Sequence, residues 1–333
     1  MPTPAPPPPP LLPCPLTAGW ELVAHGVLPS QGVRGRRLGG FSAVATDPHN
    51  GRLWLLSDRA VPELLPIWDV ASLGRRPLRI GDRLPLRSSA GDRFPAPLDG
   101  EGLVIDGADA WIVSEERRSA DRPAQLLRFD RGSGRLRQAL PLPPAWRAAP
   151  GQGLGANQGP ESLTRLSGAP LVLLLAAERP LLQDPPDQLR LLRHGPDGFR
   201  PAGALRLSLP GAHWGLTELL ALPSGGLLGL VRGFEPPSRW WAQLLQLPSP
   251  GAAASVQLPL MRWDLLATGL PPDNWEGLAL GPPLPDGRPT LLVVSDDNFS
   301  PLQANRLARL APRRQPGCSD GSVAALEGGD QGQ

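Results

Sequence analysis

Five segments of the chain align on one another at nearly constant spacing. They are FSAVATDPHNGRLWLLSDR from Phe41, GEGLVIDGADAWIVSEER from Gly100, PESLTRLSGAPLVLLLAAER from Pro160, LTELLALPSGGLLGLVR from Leu216 and WEGLALGPPLPDGRPTLLVVSDDN from Trp275. With Ser42, Glu101, Glu161, Glu218 and Glu276 as the register, the separations are 59, 60, 57 and 58 residues. Each segment reads as a short strand, a Gly-bearing turn and a second, apolar strand. The turns are Asn50-Gly51, Asp106-Gly107, Ser167-Gly168, Ser224-Gly225 and Asp286-Gly287, a composition suited to positive φ in a hairpin. One or two weaker strands follow each hairpin, and no long capped helix pattern appears. Short strands repeating about every 58 residues describe the blades of an all-β propeller, in which radial repetition protects sheet edges. The count is five blades, with a sixth of degenerate hairpin left open. A pair of β-sandwiches leaves the equal spacing unexplained. WELVAHGVL from Trp20 reads as one more strand, predicted to close the ring beside the strand Asn305 to Leu310 of the last blade.

The propeller accounts for residues 18–312. Nine of the first fifteen residues are Pro, so 1–17 read as an extended, disordered leader. Residues 313–333 are Gly-rich and polar and read as a disordered tail. The leader lacks the basic start and continuous apolar run of a signal peptide. The most apolar stretch, Leu171 to Ala177, is too short to span a bilayer. Cys14 and Cys318 lie at opposite ends and pair only if the ends meet in an oxidising compartment.

Charge narrows the chemistry. Lys+Arg number 33 against 31 Asp+Glu, a balance unlike that of proteins that coat nucleic acid. Every basic residue is Arg and Tyr is absent, which removes lysine and tyrosine chemistry. Neither H-E-x-x-H nor G-x-S-x-G occurs. Gly151-Gln-Gly153-Leu-Gly155 reads as an inter-blade loop, because no helix follows it. The tryptophans, the pair Trp240-Trp241 included, read first as blade packing and second as a sugar platform.

The ordered charges are more informative. The register position is Glu in four of five repeats. Second strands end in Ser57-Asp58-Arg59, Glu115-Glu116-Arg117, Ala177-Glu178-Arg179, Val231-Arg232 and Asp296-Asp297-Asn298. A hairpin sets the start of its first strand beside the end of its second, so the two series form charged rims on one face. One reading is structural, a ring of Glu–Arg pairs bracing the blade junctions. The other is chemical: carboxylates are hard oxygen ligands for Ca²⁺, and Arg offers a fork for phosphate or carboxylate. Glu101, Glu161 and Glu276 are then the candidate catalytic groups. Asp58, Glu115, Glu218, Asp296 and Asp297 are the candidate metal ligands, and Arg59, Arg117 and Arg179 the candidate anion-binding groups.

NWEGLALGPPLPDGRPTLLVVSDDNFSPLQ, from Asn274, resembles the bacterial phytase-like family known as "esterase-like activity of phytase". FSAVATDPHNGRLWLLSDR, LDGEGLVIDGADAWIVSEE from Leu98, NQGPESLTRL from Asn157 and LTELLALPSGGLLGLVRGF from Leu216 are similar to it as well. The resemblance implies a propeller and a hydrolase of a small phosphoester or related anionic ester. Asp58, Glu101, Glu161, Glu276, Asp296 and Asp297 are the positions that match its motifs. Many members resemble exported proteins, whereas this chain has a Pro-rich leader where a signal stands. The fourth repeat lacks the acid before Arg232 and is expected to contribute no ligand there. The alternative to a hydrolase is a non-enzymatic propeller that binds a ligand on the same face.

Overall fold

The computed structural model describes residues 10–32, 35, 37–59, 61–94, 98–115, 123–156, 158–300 and 302–318. Among them the strands form five antiparallel sheets, one per repeat, joined in a ring as a β-propeller. Blade one runs outward from Phe41–Thr46 through Leu53–Ser57 and Glu63–Trp68 to the short strands Arg79–Ile80 and Leu84–Pro85. Blade two is Gly100–Asp106, Asp109–Ser114, Gln125–Asp130 and Leu136–Pro141. Blade three is Pro160–Arg165, Leu173–Ala177, Gln188–Gly195 and Gly198–Arg206, with Val256–Gln257 added in parallel. Blade four is Trp214–Ala221, Leu227–Glu235, Arg239–Leu247 and Met261–Asp264. Blade five is Trp275–Gly281, Thr290–Ser295 and Arg306–Pro312, completed by the N-terminal strand Trp20–Val27.

The innermost strand of each blade touches the innermost strands on both sides, and that of blade five meets that of blade one. Second strands such as Leu53–Ser57 and Leu173–Ala177 are buried along their whole length, because a neighbouring blade covers each face. Their unbroken apolar runs are what two covered faces require. The turn glycines Gly51, Gly107, Gly168, Gly225 and Gly287 all have positive φ, as the hairpins demand. No helix among the described residues is long and apolar enough to cross a membrane.

The N-terminal strand sits where the sequence places it, pairing Trp20 with Pro312 and Val27 with Arg306. The ends beyond it correct the reading of a loose leader and tail. Residues 10–17 and 313–318 are tied to the body. Leu11 is buried in the same core cluster as Trp20, Leu222 and Trp263. The Cys14 N–H donates to Arg313 O at 3.0 Å, and Cys14 and Cys318 form a disulfide with Cα atoms 5.9 Å apart. A short apolar pair, Leu11-Leu12, anchors a segment whose Pro content points to disorder. Residues 1–9 and 319–333 lie outside the described residues.

The disulfide closes a loop of 304 residues across the one junction where both chain ends meet. Crosslinks over long loops restrict the unfolded chain most, typically contributing about 2–4 kcal/mol. Cys14→Ser paired with Cys318→Ser should lower the unfolding free energy of the oxidised protein, measured by urea titration, by that order. An unchanged value would show that strand pairing alone holds the ends.

Candidate active site

Every innermost strand opens with a β-bulge. Pairing to the second strand skips Ser42, Glu101, Glu161, Thr217 and Glu276. A bulged residue opposes no partner, and the local bend re-aims its side chain. The five bulges lie 59, 60, 56 and 59 residues apart. Their glutamates, Glu101, Glu161 and Glu276, line one cavity of about 1010 Å³ at the mouth of the ring. The hydroxyl-bearing bulges bond to backbone carbonyls instead, Thr217 Oγ1 also to Leu230 O of its own blade at 3.3 Å. Ser42 Oγ donates to Gly100 O at 2.6 Å and Thr217 Oγ1 to Trp275 O at 3.5 Å. Those carbonyls immediately precede Glu101 and Glu276, so each hydroxyl helps fix a neighbouring glutamate's backbone.

A second ring comes from the residue just past each second strand. The N–H of Asp58, Glu115, Glu178 and Asp296 donates to Gly40, Asp99, Gly159 and Asn274 O respectively, at 2.8–2.9 Å. Each acceptor stands two residues before a bulge. In blade four the same place is held by Arg232, paired with Gly215. The carboxylates approach the backbone closely. A Cβ on Gly159 would run into the Glu115 side chain, and one on Gly40, at φ +64°, into the Asp58 carboxylate.

The resulting wall is strongly acidic. Among the described residues eight carboxylates line the cavity, those of Asp58, Asp99, Glu101, Glu115, Glu161, Asp273, Glu276 and Asp296, against two guanidinium groups, those of Arg232 and Arg306. Arg306 Nε donates to Asp273 at 2.7 Å at the rim. Arg232 stands 3.2 Å from Glu276 and 3.8 Å from Glu178. Burial opposes its charge, but Glu276, Glu178 and Glu161 outweigh burial and hold its pKa up.

Burial and mutual repulsion raise the pKa values of Glu101, Glu161, Glu276 and Asp296. Burial, followed by repulsion from Glu161, Glu115, Glu276 and Asp99, pushes Glu101 well above the usual carboxyl range. Burial and the Glu178 and Glu276 charges do the same to Glu161 against the pull of Arg232. Asp296 rises through burial and the charges of Glu276 and Asp58. Glu276 is pushed up to about 7 by burial, with Arg232 and the Asn274 side-chain amide, 2.7 Å away, acting the other way. Carboxyl oxygens of Asp58, Asp99 and Glu101 all lie within 4.8 Å of one another. Ligands on opposite sides of a Ca²⁺ ion, at its usual oxygen distance of about 2.4 Å, are separated by about that span. The all-oxygen, anionic donor set fits such a hard divalent ion.

Of the residues singled out in the sequence, Glu101, Glu161, Glu276, Asp58, Glu115 and Asp296 meet in this cavity. Glu218 does not. The bulge of blade four falls on Thr217, one residue earlier, and the Glu218 carboxylate turns away to accept from the N–H groups of Leu163 and Leu219. Asp297 lies behind the wall, accepting from Gly40 and Phe299 N–H. The arginines also differ from expectation. Arg59 is 3.4 Å from Glu63 and lies over the Phe299 ring. Arg179 donates to the carbonyls of Gly211 and Trp214. Neither lines the cavity, and Arg117 lies outside the described residues. Arg232 occupies the floor instead. Sequence reasoning also passed over Asp99, although it stands two residues before the bulged Glu101, a position the repeat makes visible.

A propeller with a carboxylate-lined mouth is thus the class of protein that fold and site define. The chain belongs to the phytase-like family described as esterase-like activity of phytase, whose model matches residues 36–299. No curated protein matches it in sequence. Among solved structures it is similar to an α-L-arabinofuranosidase from Clostridium thermocellum, at 12% identity over 80% of this chain and 88% of that one, TM-score 0.49. It is similar also to the N11 neuraminidase-like protein of influenza A/flat-faced bat/Peru/033/2010 (H18N11), at 10% identity over 88% and 93%, TM-score 0.48. An engineered GH43 glycoside hydrolase matches at 15% identity and TM-score 0.40 over 69% of this chain, which spans 42% of that protein's length. No residue role passes from these structures to this chain.

The acid cluster makes stability depend on pH in an unusual direction. A carboxyl whose pKa is raised by folding binds a proton that the unfolded chain has released. Its contribution is full below the unfolded carboxyl range and is lost as pH rises through the folded value, about 7 for Glu276. In a chelating buffer the unfolding free energy, measured by urea titration, should therefore fall between about pH 5 and pH 8, with Glu276 accounting for roughly 2–3 kcal/mol of the loss. Glu276→Gln should flatten the profile. Equal slopes in parent and variant would contradict this.

Proposed function

We propose that the protein is a hydrolase of a small phosphoester or related anionic ester, assisted by a divalent cation, with Ca²⁺ as the first candidate. The observation that carries this is the convergence of eight carboxylates on one cavity. Beside the two guanidinium groups among the described residues, a hard cation suits a wall this rich in carboxylates that is to face an anion. Asp58, Asp99 and Glu101 are suited to hold the ion, with Asp296 and Glu115 alongside. When bound, it supplies positive charge for the ester oxygens and acidifies water. Glu276, with a pKa of about 7, suits proton transfer near neutral pH. It can take the proton of an attacking water while Arg232 faces the anion. Glu161, the third bulge glutamate, is suited to return a proton to the departing alcohol. Family membership supports the reaction class. The Cys14–Cys318 disulfide supports an oxidising compartment as the site of action.

A second reading, a ligand-binding scaffold braced by ion pairs, is favoured by Arg232, which bridges Glu178 of blade three and Glu276 of blade five. It is favoured also by Arg165–Asp106 and Arg131–Asp47, which tie neighbouring blades away from the cavity.

Calcium decides between them. A hydrolase of this design should melt higher in calcium than in chelator, since a ligand held only by the native state stabilises it. Glu101→Gln should shrink that shift, and Glu276→Gln should lower hydrolysis of a phosphoester or carboxylester panel by about 100-fold or more. The scaffold predicts no calcium shift in the parent, and a lower melting point in Glu276→Gln because Arg232 loses a partner.

A further inference from the structure

Blade four departs from the other blades at the cavity. Its second and third strands, Leu227–Glu235 and Arg239–Leu247, have nine residues each. The second strands of the other blades have five or six. The extra length ends in a hairpin whose Phe234, Pro237, Ser238 and Trp240 line the cavity. Phe234 and Trp240 are direct cross-strand partners on that hairpin, with ring centroids 4.4 Å apart. His213 stands beside them, 6.3 Å from the Phe234 ring. All three rings line the cavity.

Strand alternation explains the arrangement. Phe234 follows Arg232 by two residues, so both side chains leave the same face. The charged floor and the aromatic wall are then about 7 Å apart along one strand. Trp241, on the opposite face, packs on Trp214 at 4.9 Å and does the work of blade packing. Trp240 is half-buried, with part of its surface open to the cavity. A cross-strand aromatic pair stabilises a hairpin wherever it lies. That role alone does not account for its place beside the partly buried Arg232 in the lining of an acidic cavity.

We propose that Trp240 and Phe234 form a platform for a flat-faced ring of the substrate, one ester linkage away from the anionic group held at the floor. This rests on the reading of the cavity as an anionic-ester site. It narrows the substrate class to esters bearing an aryl ring or the apolar face of a sugar ring, both of which pack on indole. An alkyl ester of the same charge reaches the floor but leaves the platform bare.

The test is calorimetric titration of the full chain, in calcium, with methyl phosphate, phenyl phosphate and glucose 1-phosphate. At least one ring-bearing phosphate should bind about three- to tenfold more tightly than methyl phosphate, and which one identifies the aryl or the sugar source. Trp240→Ala should remove that advantage and leave methyl phosphate binding unchanged. Trp240→Phe should restore most of it, and the melting points of both variants report folding. Equal binding of all three phosphates, or an advantage that survives in Trp240→Ala, would overturn the platform. Methyl phosphate reads the charged floor alone. Its failure to bind, with phenyl phosphate or glucose 1-phosphate still bound through Trp240, overturns only the anionic-ester reading. Failure of all three to bind overturns both.

Discussion

Repulsion among carboxylates is the constraint around which the mouth of this propeller is organised. Radial symmetry brings equivalent residues of every blade to one end of one channel, so any acid kept in the repeat is multiplied where space is smallest. At about 4 Å two unit charges in a protein of effective dielectric 20 repel by about 4 kcal/mol. The fold tolerates several such pairs through three devices. Two bulge positions carry hydroxyls, Ser42 and Thr217, which bond to backbone carbonyls, Ser42 to the adjoining blade and Thr217 both within its own blade and across to the next. Arg232 replaces the acid of blade four and faces Glu178 and Glu276. Glu101, Glu161 and Asp296 hold their protons more tightly than usual. The divalent cation proposed above would relieve part of the repulsion that remains.

The bulge is the local device that makes this geometry possible. In a regular strand Glu101 would alternate with its neighbours and point into a blade interface, where a carboxylate has no place. One extra residue bends the start of the strand and directs the side chain at the channel. The feature recurs at all five innermost strands, so the ring is built by repeating one bend. Bulges in strands that frame a site are a common way to re-aim a side chain without disturbing the sheet behind it.

The period and the turn glycines made the fold legible, because both are consequences of the backbone and are written at fixed offsets. The closing strand was legible for the same reason, since an incomplete last blade needs a partner for Arg306–Pro312. The register inside blade four was not. Glu218 is one residue from the bulge, and the sequence offers two adjacent candidates, Thr217 and Glu218, of which the acid looked more like its counterparts. Because strand side chains alternate, that single step carried Glu218 to the blade interface. The arginines misled for a related reason. Arg59 and Arg179 follow the acids in sequence, but the chain leaves the strand there, and they bond to Glu63 and to backbone carbonyls instead. The ends misled through composition, since Pro-rich character outweighed the two leucines and the cysteine that fasten the segment.

Blade four emerges as the specialised member of the ring. It carries the cation in place of an acid, a hydroxyl in place of a bulge glutamate, and the long hairpin with Phe234 and Trp240. These departures are coupled by geometry. An acid at position 232 would lie beneath the aromatic wall and repel any anion lodged there, and a glutamate at 217 would join Glu276 across the floor. Replacing both leaves one quadrant of an otherwise acidic mouth that presents positive charge below and apolar surface above. A pseudo-symmetric ring has no intrinsic direction for a ligand to lie. On the proposed reading, the asymmetry of one blade would supply that direction, with the anionic end toward Arg232 and the cation held by the acids, and the opposite end along the hairpin.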